Sequence, residues 1–175
     1  MSPESARYRV RQLLDARAAR RDPPDDGPAR ALLPPPLFDA FRQMPAEDRR
    51  HVLTVLADLR DRGESDPALL QAALLHDLGK AGAGVGLIHR VARVLLWRAW
   101  PRAWAWLSAR PTGWRRPFWV VARHPERGAL WVEALGGSPE LVALIRHHEA
   151  PAPAAWQGQD LARWHAALAW ADARS

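Results

Sequence analysis

Seven histidines stand in a chain of 175 residues that has no cysteine: His51, His76, His89, His124, His147, His148 and His165. The absence of cysteine removes disulfides, thiolate zinc sites and cysteine nucleophiles together. Imidazole and carboxylate remain as the metal-binding side chains. The doublet His76-Asp77 directly follows the run Ala72-Ala73-Leu74-Leu75. Polar groups beside a buried run must be satisfied by partners or by a metal. A neutral imidazole with a carboxylate suits Zn, Mn, Fe and similar ions. Neighbouring side chains on a helix point about 100° apart. His76 and Asp77 can therefore share an ion only where the helix ends and other helices complete the shell. His51 lies beside the apolar stripe Val52, Val55, Leu56 and Leu59. His147-His148 closes the stretch Leu141, Val142, Leu144 and Ile145, and His124 precedes Pro125. Each histidine alone reads more readily as a cap or core residue. The set points to metal.

The elements that must carry these residues are helices. Tyr8, Val10, Leu13 and Leu14 predict a helix over 5–20, ended by the breaker cluster Asp22 to Pro28. The Pro-rich stretch Leu32 to Leu37 leads to a short helix near Phe38–Met44. A helix from Ala46 to Arg62 is closed by Gly63. Asp66 and Pro67 are a cap and first turn for a helix to Asp77. Pro125 is expected to open a helix to Leu135. Ser138-Pro139-Glu140 opens another to His148, and a last helix spans Gln159 to Ala173. No stretch alternates as a half-buried strand does. The expectation is an all-α chain, with residues 1–44 as an N-terminal helical extension and 45–175 as the functional domain.

The stretch from Arg50 to Lys80, which includes Leu-Leu-His-Asp-x-Gly-Lys, resembles the HD superfamily of metal-dependent phosphohydrolases. The resemblance covers about residues 45–174. It implies an HD-domain helical bundle whose four ligands are His51, His76, Asp77 and Asp172. RHPERGALWV around His124 and IRHHE at 145–149 look like segments of a subset with extra histidines. That subset includes the HD-GYP phosphodiesterases and the bacterial diadenosine tetraphosphate hydrolases. By that likeness His124, His147 and His148 hold a second ion and Asp77 bridges the two. The ions implied are divalent: Fe, Mn, Zn or Mg. After His148-Glu149 the chain reads Ala-Pro-Ala-Pro-Ala, not Asp-Gly-x-Gly-Tyr-Pro. This departure argues against a cyclic-di-GMP phosphodiesterase. Asp172 stands on the last predicted helix, whose end can fray, and Asp160 is its fallback.

The chemistry implied is hydrolysis of a phosphate ester or anhydride, with a nucleotide as the expected substrate. Metal acidifies water toward a pKa of about 7, and two ions about 3.5–4 Å apart can clamp an in-line displacement. Asp77 and Lys80 are the expected catalytic residues. Lys80 is the only lysine in the chain, and its ammonium can neutralise phosphate oxygens. Arg50, Arg123 and Arg146 each precede a candidate ligand, as phosphate binders or as solvated helix faces. The alternative is a regulatory HD module that binds metal with little catalysis.

Net charge is +6 with a pI near 11.2, which favours anionic partners. It also matches an Arg- and Ala-rich composition of no functional meaning. Residues 87–119 hold six of the ten tryptophans among arginines and form a helical insertion. Three readings stand for it: a hairpin packed on the domain, a peripheral contact with an anionic membrane, and, least favoured, a nucleic-acid clamp. Arginines interrupt the apolar stretch Leu87 to Leu107, so it does not read as a span. Residues 1–21 lack an apolar signal core, and the expected compartment is the cytoplasm.

Overall fold

The computed structural model describes residues 23–85, 89, 92, 93, 95, 96 and 99–175. The helix expected over 5–20 and Trp97 lie outside the described residues. Within them the chain is all-α, with eight helices and no strand. The helices are α1 (Gly27–Leu32), α2 (Pro35–Arg42), α3 (Ala46–Asp61), α4 (Pro67–Leu75), α5 (Pro101–Leu107), α6 (Arg116–Ala134), α7 (Pro139–His147) and α8 (Asp160–Asp172).

Helix α4 is the axis of the bundle. Its sequence, PALLQAALL, is apolar nearly all round, and Leu69, Leu70 and Ala72 to Leu75 are all buried. A helix of that composition must be covered on every side. α3, α7 and α8 pack around it, and α1 adds to the same wall. Asp66 fixes its start, because the carboxylate accepts from the Ala68 and Leu69 amides at 2.9 and 3.2 Å. Residues 27–44 join this core directly: Leu37, Phe38, Phe41 and Met44 are buried in it.

Helix α6 corrects one boundary. The expected start at Pro125 is the middle of a 19-residue helix that begins at Arg116. A proline removes one amide donor from a helix. Here the carbonyl it leaves, that of Val121, has another use described below. Residues 116–119, which were expected within the Trp/Arg segment, form the first turn of α6.

After α4 the chain makes a 3-10 turn, Leu78–Lys80, which is pressed onto α6. The contact is glycine against glycine. A Cβ on Gly79 would stand 2.0 Å from the His124 carbonyl oxygen and 2.8 Å from the Gly128 amide nitrogen. Only a bare Cα permits this approach. It sets the distance between Asp77 and His124. Arg127 reinforces it by donating from Nη1 to the Gly79 carbonyl.

Gly79→Ala is expected to lower the unfolding free energy by roughly 1–3 kcal/mol or more, since backbone stands in the way and cannot yield as a side chain would. Gly128→Ala should cost less, because its Cβ meets nothing closer than 3.2 Å. Urea unfolding of the two variants tests the order, and an equal cost would contradict the account.

Candidate metal centre

Three helix ends and two helix interiors converge on a single cluster. His76 caps the C-terminus of α4 and Asp77 follows it. His148 caps α7, and Asp172 is the last residue of α8. His51 comes from α3 and His124 from the middle of α6. A helix C-terminus carries partial negative charge and favours a cation. Three such ends meet here.

Three imidazoles are aimed by the same device. His76 Nδ1 lies 3.0 Å from the Ala73 carbonyl, His124 Nδ1 2.8 Å from that of Val121, and His148 Nδ1 2.7 Å from that of Ile145. A carbonyl only accepts, so each Nδ1 carries the proton and donates. In the neutral ring Nε2 is then a bare lone pair. The carbonyl used is always three residues back. In a continuous helix the amide of the residue after the histidine would claim it. At Ala73 and Ile145 the helix is ending, where carbonyls lose their intrahelical partners. At Val121 the helix continues, but the residue after His124 is Pro125, which has no amide hydrogen. The His-Pro step therefore achieves inside a helix what termination achieves elsewhere.

The bare nitrogens then face one another and the carboxylates. His124 Nε2 is 3.1 Å from His148 Nε2 and 3.4 Å from Asp77 Oδ1. His51 Nε2 is 2.9 Å from Asp172 Oδ1, and His76 Nε2 is 3.3 Å from the same oxygen. His76 Nε2 also lies 3.8 Å from Asp77 Oδ1. Although buried, it makes no hydrogen bond. The six residues form two groups, His51-His76-Asp172 and Asp77-His124-His148, and the donor atoms of each lie within 4.8 Å of one another. Either group could hold a metal ion. Donors about 2.1 Å from one ion stand roughly 3.0–3.4 Å apart, which follows from the bond lengths and polyhedra of such sites. The separations of 3.1, 3.3 and 3.4 Å fall in that range, and the His51–Asp172 contact at 2.9 Å lies just below it. Two lone pairs 3.1 Å apart repel unless a proton or a cation lies between them. An orphaned buried imidazole nitrogen has the same need.

The second group is the more enclosed. His124 is fully buried, Asp77 nearly so, and His148 is also buried. Burial opposes ionisation of Asp77, yet His76, His124 and Lys80 outweigh it and hold its carboxyl well below the usual range. Lys80 Nζ contacts both carboxylate oxygens, at 2.6 and 2.7 Å. Burial lowers the His76 pKa, but Asp77 and Asp172 overcome this and raise it above its ordinary value. Burial, with His76 and His124 as neighbours, pushes His148 well down. Burial also opposes ionisation of Asp172, but the hydrogen bond from His51 and the neighbouring His76 outweigh it, so its carboxyl is held down.

No family model, curated protein or solved structure matches the chain. The centre therefore rests on its own geometry.

Of the residues expected from sequence, His51, His76, Asp77, His124, His148 and Asp172 are brought together, and Lys80 sits against Asp77. His147 lies outside both groups. Its ring meets Trp156 at 5.2 Å, beside Glu133, Arg146 and Pro139 around an outer cavity. Burial, with Arg146 and His165 as neighbours, lowers its pKa. Adjacent helical residues diverge by about 100°, and the inward position belongs to His148. Arg146 turns to Glu126 and Glu133, 3.6 Å from each. Asp160, the fallback ligand, is exposed and 3.7 Å from Arg163. Glu149 was not singled out from sequence. Its Oε1 lies 3.5 Å from His124 Nε2, and Arg93 also pairs with it. A carboxylate directly after the His-His doublet was the available signal.

Pro125→Ala returns an amide to compete for the Val121 carbonyl. It should stabilise helix α6 while weakening metal binding by up to roughly tenfold, as loss of a ligand's orienting partner does. Unfolding curves together with metal titration check this pair of opposite signs. Tighter metal binding in the variant would contradict the tautomer argument.

The metal-free chain should show an acid-side signature. Asp77 and Asp172 have folded pKa values below their unfolded value of about 4. Their stabilisation is full above about pH 4 and is lost as pH falls below it. Raised His76 stabilises below about pH 6.5 and lowered His148 destabilises over the same window, so the two oppose each other. Urea unfolding in chelator should therefore steepen below about pH 4, and Asp172→Asn should flatten that limb.

Proposed function

We propose that the chain is a divalent-metal-dependent phosphohydrolase acting on a nucleotide or another phosphate ester or anhydride. The observation that carries this reading is the Nε2-to-Nε2 approach of His124 and His148 beside the Asp77 carboxylate. It supports a cation-binding centre, and two adjoining groups support a pair of ions with Asp77 between them. The likeness of Arg50 to Lys80 and of the later histidines to HD phosphohydrolases supports the reaction class.

In this reading His51, His76 and Asp172 hold one ion, and Asp77, His124 and His148 the other. A divalent cation supplies Lewis acidity and brings the pKa of water down toward about 7. The chain supplies the remainder. Asp77 has two carboxylate oxygens and so can serve both groups. Lys80 balances the Asp77 charge and leaves a cation beside the position a phosphate would take. Glu149, next to His124 and in contact with Arg93, is placed to accept a proton near that position. The Nδ1 hydrogen bonds keep three imidazoles from rotating and spare the site that reorganisation.

Elemental analysis of the purified full chain is expected to find up to two transition-metal ions, as in other two-metal hydrolases. Phosphate release should appear with at least one member of a nucleotide panel. Asp77→Asn should lose activity by at least roughly a thousandfold, as removal of a group central to charge stabilisation does. Lys80→Ala should retain metal and lose activity. Absence of metal would sink the proposal. Bound metal with no hydrolysis of any substrate would favour the regulatory module.

A further inference from the structure

From Leu78 to Pro125 the chain has 48 residues with no aspartate or glutamate. The same stretch carries eight arginines and six tryptophans. Uniform positive sign over that length is a designed-looking field for an anionic partner. Among the described residues, several of its aromatic side chains fall into an inner and an outer set. Phe118, on the first turn of α6, is the inner anchor. Its ring meets His89 at 4.8 Å, Trp104 at 6.5 Å and Trp114 at 6.3 Å. Trp104 is buried there. Trp100, Trp106 and Trp114 are 66%, 59% and 66% exposed. Trp106 and Trp114 lie 6.1 Å apart, with the Arg115 guanidinium 4.0 Å from the Trp106 ring centre.

Large exposed aromatic residues beside cations mark a binding surface rather than ordinary exterior. We propose that this Trp/Arg face docks the protein on an anionic lipid surface. Indole belongs at the boundary between headgroups and acyl chains, where its ring is apolar and its N–H remains wet. Each arginine adds attraction to acidic headgroups. Single-stranded nucleic acid fits the face less well. Arg115 already covers Trp106, and the two outer rings are tilted by 53°, which leaves no parallel slot for a base. No helix among the described residues is long and apolar enough to cross a membrane, so the contact is peripheral.

Sedimentation of the full chain with vesicles tests this. Binding is expected to phosphatidylcholine vesicles containing roughly a third phosphatidylglycerol, with little to phosphatidylcholine alone, and to weaken with salt. Trp106→Ala with Trp114→Ala should weaken it at least roughly tenfold. That variant lies away from the metal ligands, so unchanged metal content and helicity show that it has folded. No binding of the unaltered chain to acidic vesicles overturns the proposal, as does equal binding by the double variant. A shift of single-stranded RNA, or self-association lost in the double variant, with vesicles ignored, assigns the face to another partner. None of these outcomes depends on hydrolysis.

Discussion

A hydrogen bond from a buried imidazole Nδ1 to a carbonyl one turn back governs this structure. It occurs at His76, His124 and His148. It spends the ring's one proton on the backbone and turns the other nitrogen inward as a lone pair. Three such rings and two carboxylates make a cluster of acceptors, and acceptors alone do not hold together. The protein portion of the cluster is relieved by Lys80 on Asp77 and by His51 on Asp172. His76 Nε2 and the His124-His148 pair have no such relief. That imbalance, more than the presence of histidine, is what makes the cluster one that could hold a cation.

The fold supplies the conditions for those bonds. A carbonyl three residues before a histidine is free only if the helical ladder is interrupted there. α4 and α7 stop at the right residue, and α6 carries a proline. The helix ends are set by cheap local chemistry: the Asp66 and Ser138 caps fix where α4 and α7 begin. Burial then fixes their direction. Because α4 is apolar on all sides, its far end lies deep in the bundle, and His76-Asp77 arrives with it. The Gly79-Gly128 approach closes the last gap, bringing the second group to α6. A shift of either glycine would move Asp77 relative to His124 and separate the donors.

Most of this was legible in the sequence, but unevenly. Caps and breakers located α3, α4, α7 and α8 to within a residue or two, because Asp66, Pro67, Gly63, Ser138 and Pro139 act through local geometry. The doublet and its distant partners were legible by residue type. Two features were not. Pro125 reads locally as a helix start, and only the packing of α6 along the 3-10 turn carries the helix through it. The orientation of His147 against His148 depends on the rotation of α7 about its axis, which the apolar positions Leu141, Leu144 and Ile145 set by packing. The role of Glu149 depends on where the chain turns after α7, and Ala-Pro-Ala-Pro gives no directional signal.

Charge joins the centre to the face beyond it. Asp77, Asp172 and Glu149 place negative charge where an anionic substrate would have to approach, and Lys80 and Arg93 offset only part of it. The acid-free stretch begins right after Asp77 and ends right after His124, so every charge between those two ligands is positive. Phe118, whose ring meets the outer Trp114, precedes His124 on the same helix by six residues, about 9 Å along the axis. That is comparable to the screening length of about 8 Å at physiological salt. Arg123, directly before His124 on that helix, brings positive charge of the same stretch nearer still. Under the proposed docking and hydrolysis, one segment would serve both the face and the approach to the centre, and helix α6 joins the two.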